Sequence, residues 1–71
     1  MFTDEVIARD SGILSGRPVF RGTRVPVEVL FDNVAGGLTL DEILRAYPTL
    51  DRGDVITVLE LARERLLEDA A

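Results

Sequence analysis

The sequence predicts a mostly α, single-domain chain in which a short β-rich arm leads into three helices. Three observations carry this. The chain has 71 residues and no cysteine, which sets one domain as the upper bound. From Pro26 onward, apolar residues recur at helical spacing in three runs separated by glycine or proline. Before Pro26 that period is missing, and short β-branched and aromatic pieces alternate with turn residues. The division is therefore residues 1–25 as arm and 26–71 as three-helix unit.

The arm begins with Val6-Ile7-Ala8, a β-type triplet. Asp10-Ser11-Gly12 forms a turn cluster, because short polar side chains bond nearby backbone and glycine relaxes φ. Ile13-Leu14 and Val19-Phe20 are further short apolar pieces. Pro18 lacks the N–H that a central strand uses, so these pieces are read as edge or pairing strands. Uncovered edges invite further pairing, and this arm is suited to pair with its copy across a two-fold axis.

Pro26 fits the first turn of helix one, and Glu28 complements its N-terminus. Val27, Leu30, Phe31 and Val34 fall on one face, and Gly36-Gly37 ends the helix. Helix two starts at Thr39 with Glu42 three residues on, a capping box. Leu40, Ile43, Leu44 and Tyr47 form its face, and Pro48 stops it. Asp51 caps helix three, with Asp54 in the first turn. Val55, Leu59, Ala62 and Leu66 line its face, Val58 widens it, and Ile56 and Leu67 lie off the stripe. The short connection between the last two helices suits a helix-turn-helix.

Composition then prunes function. There is no histidine, cysteine or lysine, and all eight basic residues are arginine. An imidazole base, a thiolate nucleophile and a Schiff base are all excluded. Zinc sites of the usual thiolate–imidazole type have no ligands. A non-enzymatic protein without metal or cofactor is expected. The 46% apolar fraction with regular patterning argues against disorder. A domain this small buries little of its surface, and with no disulfide available, assembly is the remaining way to gain stability. A homodimer is expected. No basic-then-apolar leader is visible, and no apolar run approaches the roughly 20 residues that span a membrane. The expected location is cytoplasmic.

The segment Gly16-Arg17-Pro18-Val19-Phe20-Arg21-Gly22-Thr23-Arg24-Val25-Pro26-Val27 stands apart. It holds three arginines and no acid in a chain of net charge −5. Its glycines and prolines specify backbone shape alongside charge. Arg24 has Glu28 and Asp32 close in sequence, so ion pairing within the fold is its favoured role. Arg17 and Arg21 are read as an exposed surface for phosphate or carboxylate. In the helix-turn-helix, the recognition position reads Asp51-Arg52-Gly53-Asp54. Two aspartates there would meet a negative groove, and Arg52 is the single candidate DNA contact. A packing role for that helix is favoured, and DNA, if bound, would meet the arginine arm. The charged C-terminal helix is read as a solvated face; its alternative is a docking helix anchored by Ile56, Leu61 and Leu67.

The run from Gly16 to Val27, together with Gly36-Gly37-Leu38, Tyr47-Pro48-Thr49-Leu50 and the apolar pattern of helix three, resembles the domain of unknown function four-three-three family of small prokaryotic proteins. The resemblance covers almost the whole chain. It implies a three-helix homeodomain-like helix-turn-helix bundle with an N-terminal β arm that helps dimerisation. Gly16, Pro18, Gly22, Thr23 and Pro26 are its structural motif. Members are regarded as antitoxins of type II toxin-antitoxin modules, encoded beside a PIN-like ribonuclease. The resemblance thus implies an antitoxin-like binding protein that neutralises such a toxin and co-represses its own operon. Operator DNA binding by the isolated acidic protein would be weak. An arginine among Arg17, Arg21 and Arg24 would enter the nuclease's metal-binding carboxylate cluster. The alternatives are a DNA-binding transcriptional regulator without a toxin and a structural interaction module.

Overall fold

The structure, a computed structural model, describes residues 6–9 and 16–70. Among the described residues, two short strands, β1 (Ile7–Ala8) and β2 (Val19–Phe20), precede three helices, α1 (Val27–Ala35), α2 (Leu40–Ala46) and α3 (Arg52–Ala70). The expected Asp10-Ser11-Gly12 turn and the Ile13-Leu14 piece lie outside the described residues. The strands pair antiparallel, with Ile7 opposite Phe20 and Ala8 opposite Val19.

The place of β2 agrees with the reading of Val19-Phe20 as an edge or pairing strand. The strand has a neighbour on each side, β1 on one and a bridge from Val19 to Pro26 on the other. Pro18 tolerates this because it precedes the strand and contributes only its carbonyl, which accepts from the Val27 N–H at 2.9 Å. A missing N–H costs nothing where no donor is called for.

The helix boundaries follow local chemistry. Pro26, with ψ 142°, is the extended residue before α1 and makes no side-chain cap. At the other end the Leu38 N–H donates to the Asn33 carbonyl and the Gly37 N–H to the Val34 carbonyl, each at 3.0 Å. These are the two bonds of a Schellman motif, and Gly37 takes the left-handed conformation it requires, φ +97°. At α2 the capping box is complete. The Glu42 N–H donates to Thr39 Oγ1 at 3.2 Å, and the Thr39 N–H donates to Glu42 Oε1 at 2.8 Å. Asp51 caps α3 by accepting from the Asp54 N–H at 3.1 Å.

The core draws on every element except β1 itself, whose Ile7 packs against its edge: Val6, Phe20, Leu30, Ile43, Leu50, Val55 and Val58. Burying each such side chain stabilises by about 1.5–3 kcal/mol. The outer halves of two expected apolar faces are not covered. On α1, Leu30 is fully buried, but Phe31 is 38% and Val34 49% exposed. On α3, Val55 and Val58 form the centre of the contact, while Leu66 is 69% exposed. Helical spacing marks which side is apolar; the reach of a small body decides how much of that side is covered. Among the described residues no helix is long and apolar enough to cross a membrane.

Candidate functional site

The site grows out of the reversal between β2 and α1. The Phe20 N–H donates to the Val25 carbonyl and the Thr23 N–H to the Phe20 carbonyl, both at 3.0 Å. Gly22 sits between them at φ +81°, which a residue with a Cβ adopts only under strain. The Thr23 hydroxyl locks the turn twice, donating to the Phe20 carbonyl at 2.8 Å and accepting from the Val25 N–H at 3.0 Å. The Gly-Thr pair of the signature is thus the turn itself, with Arg21 and Arg24 on its two shoulders.

The turn, the end of β1 and Thr49 from the α2–α3 connection enclose an open cleft of about 760 Å³. Arg9, Arg21 and Arg24 line it, with Gly22, Thr23 and Thr49, and no described acidic residue does. All three arginines are exposed. Arg21 Nη2 donates to the Ile7 carbonyl at 3.1 Å, which ties one guanidinium to the edge of the arm. A guanidinium carries five N–H groups, and no other described residue takes a hydrogen bond from the Arg21 side chain. Like charges placed across a tight turn repel, and nothing described within the cleft offsets them. The arrangement suits bidentate contact with carboxylate or phosphate.

The expected site residues divide. Arg21 and Arg24 are brought together. Arg17 is not in the cleft: its Nη1 lies 3.3 Å from Glu28 Oε1, with both side chains more than half exposed. This exchanges the roles assigned to Arg17 and Arg24. The bridge between Val19 and Pro26 and the bond from Val27 to Pro18 lay residues 17–19 alongside the start of α1. Glu28 therefore meets Arg17, while Arg24, at the far end of the reversal, makes no ion pair with a described residue. An exposed pair of this kind contributes at most about 1 kcal/mol.

Arg52, the candidate DNA contact, is engaged by Asp41, which joins the start of α3 to the first turn of α2. The hydrogen bond and charge of Arg52 hold the Asp41 carboxyl below its ordinary value. Asp51 and Asp54 remain at the same helix end. Of the proposed docking anchors, Leu61 packs against the core, while Ile56 and Leu67 are exposed. Gly16, φ +83°, together with Pro18 and Pro26, shapes the approach to the turn. Sequence reading missed Arg9 and Thr49, which reach the cleft only through strand pairing and helix packing.

Residues 7–62 match the family described as protein of unknown function, DUF433. The chain is 45% identical over 47 residues to a curated protein of Sinorhizobium fredii (strain NBRC 101917 / NGR234), described as uncharacterized protein y4eO. That alignment covers 66% of this chain and 21% of the relative, so the chain spans about a fifth of the relative's length. No solved structure matches. The matched span holds both strands, α1, α2 and the packed half of α3, and on that ground the chain belongs to the DUF433 family.

Proposed function

We propose that the protein is an antitoxin-like binding protein, acting as a homodimer, that neutralises a PIN-like ribonuclease through the Arg9–Arg21–Arg24 cleft. The observation that carries this is the cleft: three exposed arginines with no described acid among them, on a chain of net charge −5. Placed against a carboxylate cluster that holds a nuclease's metal, a guanidinium forms charge-assisted bonds and competes with the cation. The protein needs no catalytic residue and no cofactor for this role.

The helix-turn-helix supports a protein partner over DNA. The start of α3 carries Asp51 and Asp54, and its arginine is already paired with Asp41. Such a helix end repels a phosphate groove, where binding draws most of its strength from neutralised phosphates. Operator binding, if present, belongs to the assembled complex.

The test is to inspect the neighbouring gene and co-express the protein with the PIN-like nuclease that this reading expects there. Wild type should relieve toxicity, and the double variant Arg9→Ala/Arg24→Ala should not, with both chains folded by circular dichroism. Salt-dependent operator binding without any toxin partner would favour the transcriptional regulator instead. A stable complex with neither property would make the protein a structural interaction module.

A further inference from the structure

The C-terminal end of α3 leaves the body of the protein. The helix runs from Arg52 to Ala70, 19 residues, or about 28 Å at 1.5 Å per residue. Val55 and Val58 are buried, and Leu59, Leu61 and Ala62 are half-buried. From Arg63 to Asp69 every residue is exposed. The family match also ends at Ala62, so the overhang begins where the shared body stops. Yet the apolar stripe continues past that point. Leu66 extends the line of Val55, Leu59 and Ala62 by one more turn, and it is 69% exposed. Two turns of helix without packing are marginal in water.

The charges flanking Leu66 identify what fits there. Arg63 precedes it by three residues and Asp69 follows it by three. Positions three apart share a face, so both lie beside Leu66 on the uncovered stripe. A second copy laid antiparallel, with the two-fold axis at Leu66, sets each Arg63 against the other chain's Asp69. A parallel copy would set Arg63 on Arg63 and Asp69 on Asp69. Glu64 and Glu68 fall on the opposite side of the helix and stay in water. Antiparallel helices also place opposite dipole ends together.

We infer that the α3 overhang is a self-association surface, in which Leu66 packs on Leu66 of a second copy and Arg63 pairs with the copy's Asp69. This rests on the two-copy part of the proposed function and names its surface; it is independent of the arginine cleft. The contact is small against the roughly 800 Å² per partner of a standard interface. Self-association is therefore expected between about 10 µM and about 1 mM.

Sedimentation equilibrium of the full chain up to about 1 mM tests this. A reversible monomer–dimer equilibrium is expected. Leu66→Glu should weaken it about a hundredfold, because each interface loses two leucines. Arg63→Glu and Asp69→Arg should each weaken it by about threefold or more, as two exposed pairs are inverted. The combined Arg63→Glu/Asp69→Arg chain should return to within about twofold of wild type, since reversal of both charges restores the pairs. Arg63, Leu66 and Asp69 are all exposed, so far-ultraviolet circular dichroism should show a folded body throughout. A wild type that stays monomeric at about 1 mM overturns the inference. So does a dimer indifferent to Leu66→Glu, or a double reversal as weak as the single ones. Arg24→Ala should leave self-association unchanged, so a failure here and a failure of the partner-binding cleft are told apart.

Discussion

Replacing Thr23 by valine removes one oxygen and keeps the shape of the side chain. That oxygen makes two of the bonds that hold the turn, donating to the Phe20 carbonyl and accepting from the Val25 N–H. Each is part-buried, and a typical intramolecular hydrogen bond contributes about 0.5–1.5 kcal/mol. The Val25 N–H is left without its partner, so the upper half of the range applies and the loss is about 2–3 kcal/mol. At about 0.05–0.15 kcal/mol per residue, the whole domain is stable by about 4–10 kcal/mol. The substitution therefore removes a large fraction of total stability. For a domain of this size each kcal/mol moves Tm by about 4–8 °C, which gives a fall of about 8–24 °C in calorimetry. Thr23→Ser keeps the hydroxyl and should lose only a few degrees. A Thr23→Val protein that melts with wild type, or a Thr23→Ser protein that falls as far as valine, would refute the claim that this hydroxyl fixes the turn.

Other substitutions probe the fold at separate points. Gly22→Ala should cost about 1 kcal/mol or more from backbone strain alone, because the position has φ +81° while an added Cβ would meet no neighbouring atom; Gly22→Asn, which tolerates that region, should cost less by chemical denaturation. Leu30→Ala opens a cavity at a fully buried site and should destabilise by about 2–5 kcal/mol in a urea titration. Acid sensitivity follows from Asp41 and Glu42, whose carboxyls are held below their ordinary values of 3.8 and 4.5, the first by the Arg52 hydrogen bond and the second by the Thr39 backbone. A depressed folded value means the stabilisation is complete above the ordinary value and is lost as pH falls through the lowered one. Thermal melts should therefore decline below about pH 4.5, and Arg52→Gln should remove the Asp41 share of that decline.

Much of the fold was legible because the signals were local. The Thr39–Glu42 capping box, the Asp51 cap and the glycine pair after α1 each act within a few residues, and each is found where sequence spacing put it. The site was legible only in part. Arg21 and Arg24 belong to one short signature, but Arg9 joins them through pairing between residues more than ten apart, and Thr49 through helix packing. The exchange between Arg17 and Arg24 has the same origin: sequence proximity pointed Glu28 at Arg24, and the register of the reversal gave it to Arg17. Phe31, Val34 and Leu66 show a different limit. Periodicity finds an apolar face without knowing where the body beneath it stops.

Binding of an anionic partner surface by the Arg9–Arg21–Arg24 cleft is tested most directly by a Kd. The titration is calorimetric, of the full chain against the PIN-like nuclease partner that the proposed function requires, for wild type, Arg24→Ala and Arg17→Ala. Truncating one member of a buried charge pair costs about 2–5 kcal/mol, so Arg24→Ala should weaken binding by about thirtyfold or more. Arg17, already paired with Glu28 outside the cleft, should change it by less than about threefold. Equal affinity for wild type and Arg24→Ala, with Arg17→Ala the damaging variant, would show that the cleft is not the binding surface.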